Sequence, residues 1–190
     1  PIGLDPNLSF KNNLVIIVKP LPEYPVKMYQ DGLRLIISNV QRNDKKSVDP
    51  NAKSGNYLNN VMAINEAKSR GFDDALMINS SRHITEGTTF NIWAIKDNTI
   101  YTPKSDSGLL QGITRKALIN ICEEKNLNLN ICELSTDFLL GADEVFITST
   151  TKGVMPISTI ETKSYGVGLQ DWKGTENLMK LYKEHITNRL

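Results

Sequence analysis

Four short segments carry side chains suited to chemistry. Asn51-Ala52-Lys53-Ser54-Gly55-Asn56-Tyr57 offers an amine in a polar loop, and Thr85-Glu86-Gly87-Thr88-Thr89 offers a carboxylate at a strand end. Leu110-Gln111-Gly112-Ile113-Thr114 opens a helix on a glycine and a hydroxyl, and Thr148-Ser149-Thr150-Thr151 supplies hydroxyls after a strand. A lysine amine can bond a carbonyl carbon. A carboxylate can keep a ring nitrogen protonated, so that the ring withdraws electrons. Amides and hydroxyls at a helix start can hold a phosphate. Together these are the parts needed to hold pyridoxal phosphate.

Each segment taken singly also has a plainer reading. Lysines are mostly exposed, so Lys53 reads as a solvated side chain. Glu86 reads as a turn glutamate, Thr114 as an N-cap, and Ser149-Thr150-Thr151 as a turn. The order and coexistence of the four carry the weight.

The elements that must position these residues follow from periodicity and punctuation. Residues 13–19 form an apolar run stopped by Pro20 and Pro22, which predicts a buried strand. Leu33 to Val40 predicts a second strand, and the polar stretch 41–52 a loop. Tyr57, Leu58, Val61, Met62 and Ala67 place a helix over 56–70, closed by Gly71. Short strands are expected at 75–78, 84, 90–95 and 99–101, the last two joined by an Asp97-Asn98 hairpin turn. A helix over 114–125, a strand at 127–131 and a short helix at 135–140 capped by Ser135 come next. Strands at 144–148 and 154–160 and a terminal helix over 170–187 complete the chain. Strand runs with interspersed helices, lacking clean βαβ alternation, predict an α+β or mixed domain.

Composition excludes several classes. Lys+Arg 22 against Asp+Glu 21 leaves a net charge of +1 over 190 residues, which gives no footprint for nucleic acid or an anionic membrane. No apolar run reaches bilayer-spanning length. Cys122 and Cys132 sit in helix and strand patterns and read as reduced core residues, so a cytoplasmic location is expected. His83 and His185 lack the spacing of a metal site or a triad, and no metal is expected.

Taken together, the four segments resemble the class IV pyridoxal-phosphate aminotransferases, from about Arg34 to the final helix. That family includes branched-chain and D-amino acid aminotransferases, (R)-selective amine transaminases and aminodeoxychorismate lyases. The resemblance implies an α+β fold, the mixed, barrel-like large domain of the D-amino acid aminotransferase-like architecture (fold type IV). It also implies a smaller N-terminal domain of roughly a hundred residues ahead of this region, missing from the sequence given. Residues 1–12 are then expected to be a remnant of the interdomain linker and 13–190 the cofactor-binding large domain.

The resemblance further implies roles. Lys53 forms the Schiff base and carries the proton, Glu86 pairs with the pyridine nitrogen, and Leu110 packs on the ring. Ile113, Thr114 and Thr150 bind the phosphate, Thr89 lines the cofactor, and Tyr57 contacts its phenolic oxygen. Thr151 and Lys152 lie near the substrate carboxylate through their amides. The implied reaction is transamination between an amino acid, branched-chain or related, and a 2-oxo acid such as 2-oxoglutarate, in a homodimer. Ser149-Thr150-Thr151-Lys152-Gly153 departs from the Gly-Thr-Ala-Ala-Glu typical of branched-chain enzymes; Thr148-Ser149-Thr150-Thr151 is closer to D-amino acid aminotransferases, and Thr151-Lys152-Gly153-Val154-Met155-Pro156-Ile157 resembles (R)-amine transaminases. Donor class therefore stays open, as do a lyase of the aminodeoxychorismate type and an inactive fragment.

Overall fold

The computed structural model describes residues 4–9, 11, 13–21 and 23–188. Its helices are α1 (Val26–Asp31), α2 (Leu58–Ser69), α3 (Ile113–Glu124), α4 (Thr136–Leu140) and α5 (Lys173–Thr187). Its strands are β1 (Leu33–Ile37), β2 (Asp74–Ile78), β3 (His83–Gly87), β4 (Asn91–Lys96), β5 (Thr99–Pro103), β6 (Leu129–Cys132), β7 (Leu134–Ser135), β8 (Glu144–Ser149), β9 (Gly153–Ile160) and β10 (Lys163–Ser164). They form one sheet in the order β6-β5-β4-β8-β9-β1-β2-β3-β7, with β10 against β9. Only Glu133 separates β6 from β7 in sequence, although they stand at opposite ends of this path. The sheet therefore curls until its ends meet, which is the barrel-like, mixed α+β architecture expected.

Strand alternation divides the core into layers. On β4 and β8, Ile92, Ala94, Val145 and Ile147 face the barrel interior with Leu35, Leu76 and Ile157. The intervening Trp93, Ile95 and Phe146 face α3 and α5, meeting Leu118, Ile121 and Leu178. Ile36, Ala75 and Met77 turn outward to Ala63 and Ala67 of α2. Strands covered on both faces read as near-continuous apolar runs, as these do. Two parallel pairs, β1 with β2 and β5 with β6, are bridged by α2 and α3 as crossover units inside the mixed sheet.

Most expected elements appear within two or three residues of their predicted bounds. Asp97 and Asn98 both take positive φ, 48° and 58°, as a tight hairpin turn between β4 and β5 requires. Ser135 caps α4 by accepting from the Phe138 amide at 3.1 Å. The terminal helix starts at Lys173, later than expected, because Leu169–Asp171 form a separate 3-10 turn and Trp172 is the cap.

The strand expected over 13–19 is a correction. That run has no sheet partner and is coil, with Leu14, Val15, Ile16, Ile17 and Val18 74–90% exposed. Its composition suits a strand, but a strand also needs a neighbour to bond, and no described strand pairs with it. Of the expected linker 1–12, residues 1–3, 10 and 12 lie outside the described residues, and Pro6–Leu8 form a 3-10 turn. Helix α1 had no signal in the sequence. It ends at Gly32 with φ +70°, where a side chain would meet Ser158 N and Trp172 Cη2 at 2.8 Å.

Candidate active site

The loop before α2, the end of β3, the start of α3 and the end of β8 converge on one cavity. Lys53 and Tyr57 line it from the first, Glu86 and Thr89 from the second, Leu110, Ile113 and Thr114 from the third, and Thr150 from the fourth. Eight of the ten residues predicted from sequence are thus brought together. Thr151 and Lys152 are not in its lining. They sit one turn further on, where the Tyr24 hydroxyl lies 3.5 Å from Thr151 Oγ1 and the Tyr29 hydroxyl donates to Lys152 O at 3.0 Å. The Lys152 amide already donates to Ser149 Oγ at 3.1 Å.

Lys53 Nζ donates to the Tyr57 hydroxyl at 2.9 Å. The pair spans the last turn of loop before α2, so the helix start fixes Tyr57 and the hydroxyl holds the amine beside it.

Glu86 is only 5% exposed, yet each carboxylate oxygen has partners. Oε1 faces Arg42 Nη2 at 2.7 Å, and Oε2 accepts from Leu110 N at 3.0 Å and from Asn91 Nδ2 at 3.3 Å. Burial pushes its pKa up to about 7, against the pull of Arg42, the Leu110 amide, Lys53 and Arg115. A buried carboxylate with a neutral-range pKa beside an amine, in a cavity, is the electrostatic pattern of a functional site.

Gly112 stands at the N-cap of α3 and offers no side chain to the first-turn amides. Thr114, buried in that first turn, is therefore not the cap; it lines the cavity. Uncapped amides, the positive end of a twelve-residue helix and a nearby hydroxyl make an anion site. Deeper in, Thr148 Oγ1 accepts from Trp93 Nε1 at 2.9 Å, which ties the β8 end to β4.

Sequence reasoning missed three residues that line this site, Arg42, Asn60 and Asn91, and a buried cation behind it, Arg115. Arg42 lay in a stretch read as loop, and nothing local marked its partner. Asn60, inside α2, accepts from Arg42 Nη1 at 3.3 Å and donates to Thr88 O. Asn91 had a usable signal: it is the polar residue at the start of an otherwise apolar strand. Arg115 had another, since a cation in the first turn of a helix opposes the dipole. It is buried, donates to Pro103 O at 2.8 Å and Thr102 Oγ1 at 3.4 Å, and has its pKa lowered by burial. Among the described residues no cluster of side chains could hold a metal ion, and no helix is long and apolar enough to cross a membrane.

Known proteins resemble this chain in sequence and in fold. The family model for amino-transferase class IV matches residues 2–160. A D-alanine aminotransferase of Bacillus licheniformis is 38% identical over 144 residues, 76% of this chain and 49% of that protein. A branched-chain-amino-acid aminotransferase of Pseudomonas aeruginosa is 33% identical over 161 residues, 84% of this chain and 52% of that protein. The crystal structure of a T.th. branched-chain amino acid aminotransferase with pyridoxamine 5'-phosphate superposes with a TM-score of 0.78 at 32% identity, covering 85% of this chain and 53% of that one. The chain spans about half the length of the curated relatives it matches. With most of its length matched by the family model and a relative at 38% identity over 76% of it, the chain belongs to the class IV aminotransferases.

Proposed function

We propose that this chain, residues 13–190, is the cofactor-binding part of a pyridoxal 5'-phosphate-dependent aminotransferase. The reaction would move an amino group between an amino acid, branched-chain or related, and a 2-oxo acid such as 2-oxoglutarate. The observation that carries this reading is the convergence of Lys53, Glu86 and the uncapped start of α3 on one cavity. The donor set fits the cofactor: an amine, a buried carboxylate, and first-turn amides of α3 with no side-chain cap.

When bound, the cofactor supplies the electron sink for amino-group transfer. The chain's own residues would take the following parts. Lys53 would hold the cofactor through Nζ and, once the donor's amine has displaced it, would move a proton at that nitrogen. Glu86 holds a positive charge on the ring nitrogen. Ile113 and Thr114, with Thr150, hold the phosphate, while Leu110 and Thr89 pack on the ring and beside it. Tyr57 would contact the phenolic oxygen, and its hydroxyl keeps the Lys53 amine in place. Of the two amides assigned to the substrate carboxylate, that of Thr151 is the better candidate, because the Lys152 amide is engaged with Ser149. Two free cysteines, Cys122 and Cys132, support a cytoplasmic location, and we expect a homodimer.

The hydroxyl-rich Ser149-Thr150-Thr151 run supports a second reading, a D-amino acid donor, as does the D-alanine aminotransferase relative. A donor panel of L-branched-chain amino acids, D-amino acids and (R)-amines with 2-oxoglutarate separates the two, with aminodeoxychorismate breakdown run alongside. Turnover of at least one donor, lost in Lys53→Ala, is the expected result. A protein that converts none, and whose visible spectrum with added pyridoxal 5'-phosphate is the same in Lys53→Ala, would sink the proposal.

A further inference from the structure

Arg42 stands eleven residues before Lys53 in a stretch that reads as polar loop, yet its side chain is only 15% exposed. Its backbone amide is tied to the end of β2 through Ile78 O at 2.8 Å. Its guanidinium then reaches three different segments. Nη2 meets Glu86 Oε1 at 2.7 Å, Nη1 donates to Asn60 Oδ1 at 3.3 Å, and Nε donates to Gly108 O at 3.2 Å. One planar fork thus joins β3, α2 and the turn ahead of Leu110.

We infer that Arg42 is the positioning residue for Glu86, fixing the carboxylate in place and keeping it ionised for a positively charged ring nitrogen. Burial works against ionisation of Glu86 and leaves its pKa near neutrality, about 7, even with Arg42 in place. The other groups facing Glu86 are less able to hold the charge. Lys53 is exposed and bonded to Tyr57, Arg115 spends its donors on Pro103 and Thr102, and Asn91 and the Leu110 amide are neutral. Arg42 is the cation in direct contact. Without it, a buried carboxylate loses its counter-charge and takes up a proton instead. A protonated Glu86 would meet a ring nitrogen as a neutral acid and could not hold a cation there. The catalytic meaning of this inference rests on the cofactor proposal; the ion pair does not.

The test is made on the protein without cofactor, so its outcome is independent of that proposal. Carbon-13 labelling of glutamate carboxyls, with Glu86→Gln to identify the signal, follows the Glu86 titration directly. Arg42→Met should raise its midpoint by roughly 1–3 in pKa, and Arg42→Lys should return most of that change. An unmoved midpoint in folded Arg42→Met would overturn the inference.

Denaturant titration provides a second measurement, including for a weakly folded Arg42→Met. If the damage is an unpaired buried carboxylate, adding Glu86→Gln to Arg42→Met should raise the urea midpoint at pH 8. A strut that acts only through Gly108 and Asn60 would instead make the two substitutions additive or worse, and that result would also overturn the inference.

Discussion

Asn91 Oδ1 occupies the space in which a side chain at Gly112 would begin: an ideal Cβ there would lie 2.3 Å away. The Asn91 amide group points the other way, donating to Leu110 O at 2.8 Å and Glu86 Oε2 at 3.3 Å. Both partners are acceptors, so this orientation of the amide is the one the hydrogen bonds require. The glycine at the start of α3 and the carboxylate on β3 are therefore coupled through one asparagine.

Gly112→Ala tests that coupling. Asn91 would have to move, and both of its hydrogen bonds would loosen, at a cost on the order of 1–3 kcal/mol. Urea unfolding without added ligand should register the loss. In an Asn91→Ala background the added methyl has room, so the second substitution should cost much less there than alone.

Glu86 makes stability depend on pH in a definite direction. Its folded pKa is raised from 4.5 to about 7, so the folded state binds this proton more tightly than the unfolded chain does. The contribution is present in full below pH 4.5 and is lost as pH rises toward 7. The size is on the order of 3 kcal/mol. Urea midpoints between pH 5 and 8 should fall more steeply in the wild type than in Glu86→Gln; equal slopes would contradict the assignment.

Tyr57→Phe removes the acceptor of the Lys53 amine and little else. The ring is partly exposed, so stability should change by less than about 0.5 kcal/mol. Affinity for added pyridoxal 5'-phosphate, read from visible absorbance, should fall by roughly 5- to 10-fold, the worth of one hydrogen bond. An unchanged affinity would remove Tyr57 from the site.

Much of this was legible in the chain because local signals and tertiary structure agree. Apolar runs such as Glu144–Ser149 and Gly153–Ile160 became buried strands, and Asp97-Asn98 became the turn that its chemistry predicts. The run Leu14 to Val18 shows the limit. Its composition is that of a buried strand, but pairing is a non-local property and no local pattern carries it. The site divides in the same way. Lys53, Glu86 and Thr114 were legible as types at helix and strand boundaries. Arg42 and Asn60 were not, since their importance arises from which segments the fold brings together across β3, α2 and the Gly108 turn.

Covalent attachment of the cofactor to Lys53 is open to direct test. The direct measurement is borohydride reduction of the protein with pyridoxal 5'-phosphate at neutral pH, followed by peptide mapping by mass spectrometry. A single phosphopyridoxyl group is expected on the peptide carrying Lys53, and its loss in Lys53→Ala. Labelling of a different lysine in preference, or labelling spread evenly over surface lysines and unchanged in Lys53→Ala, would contradict it.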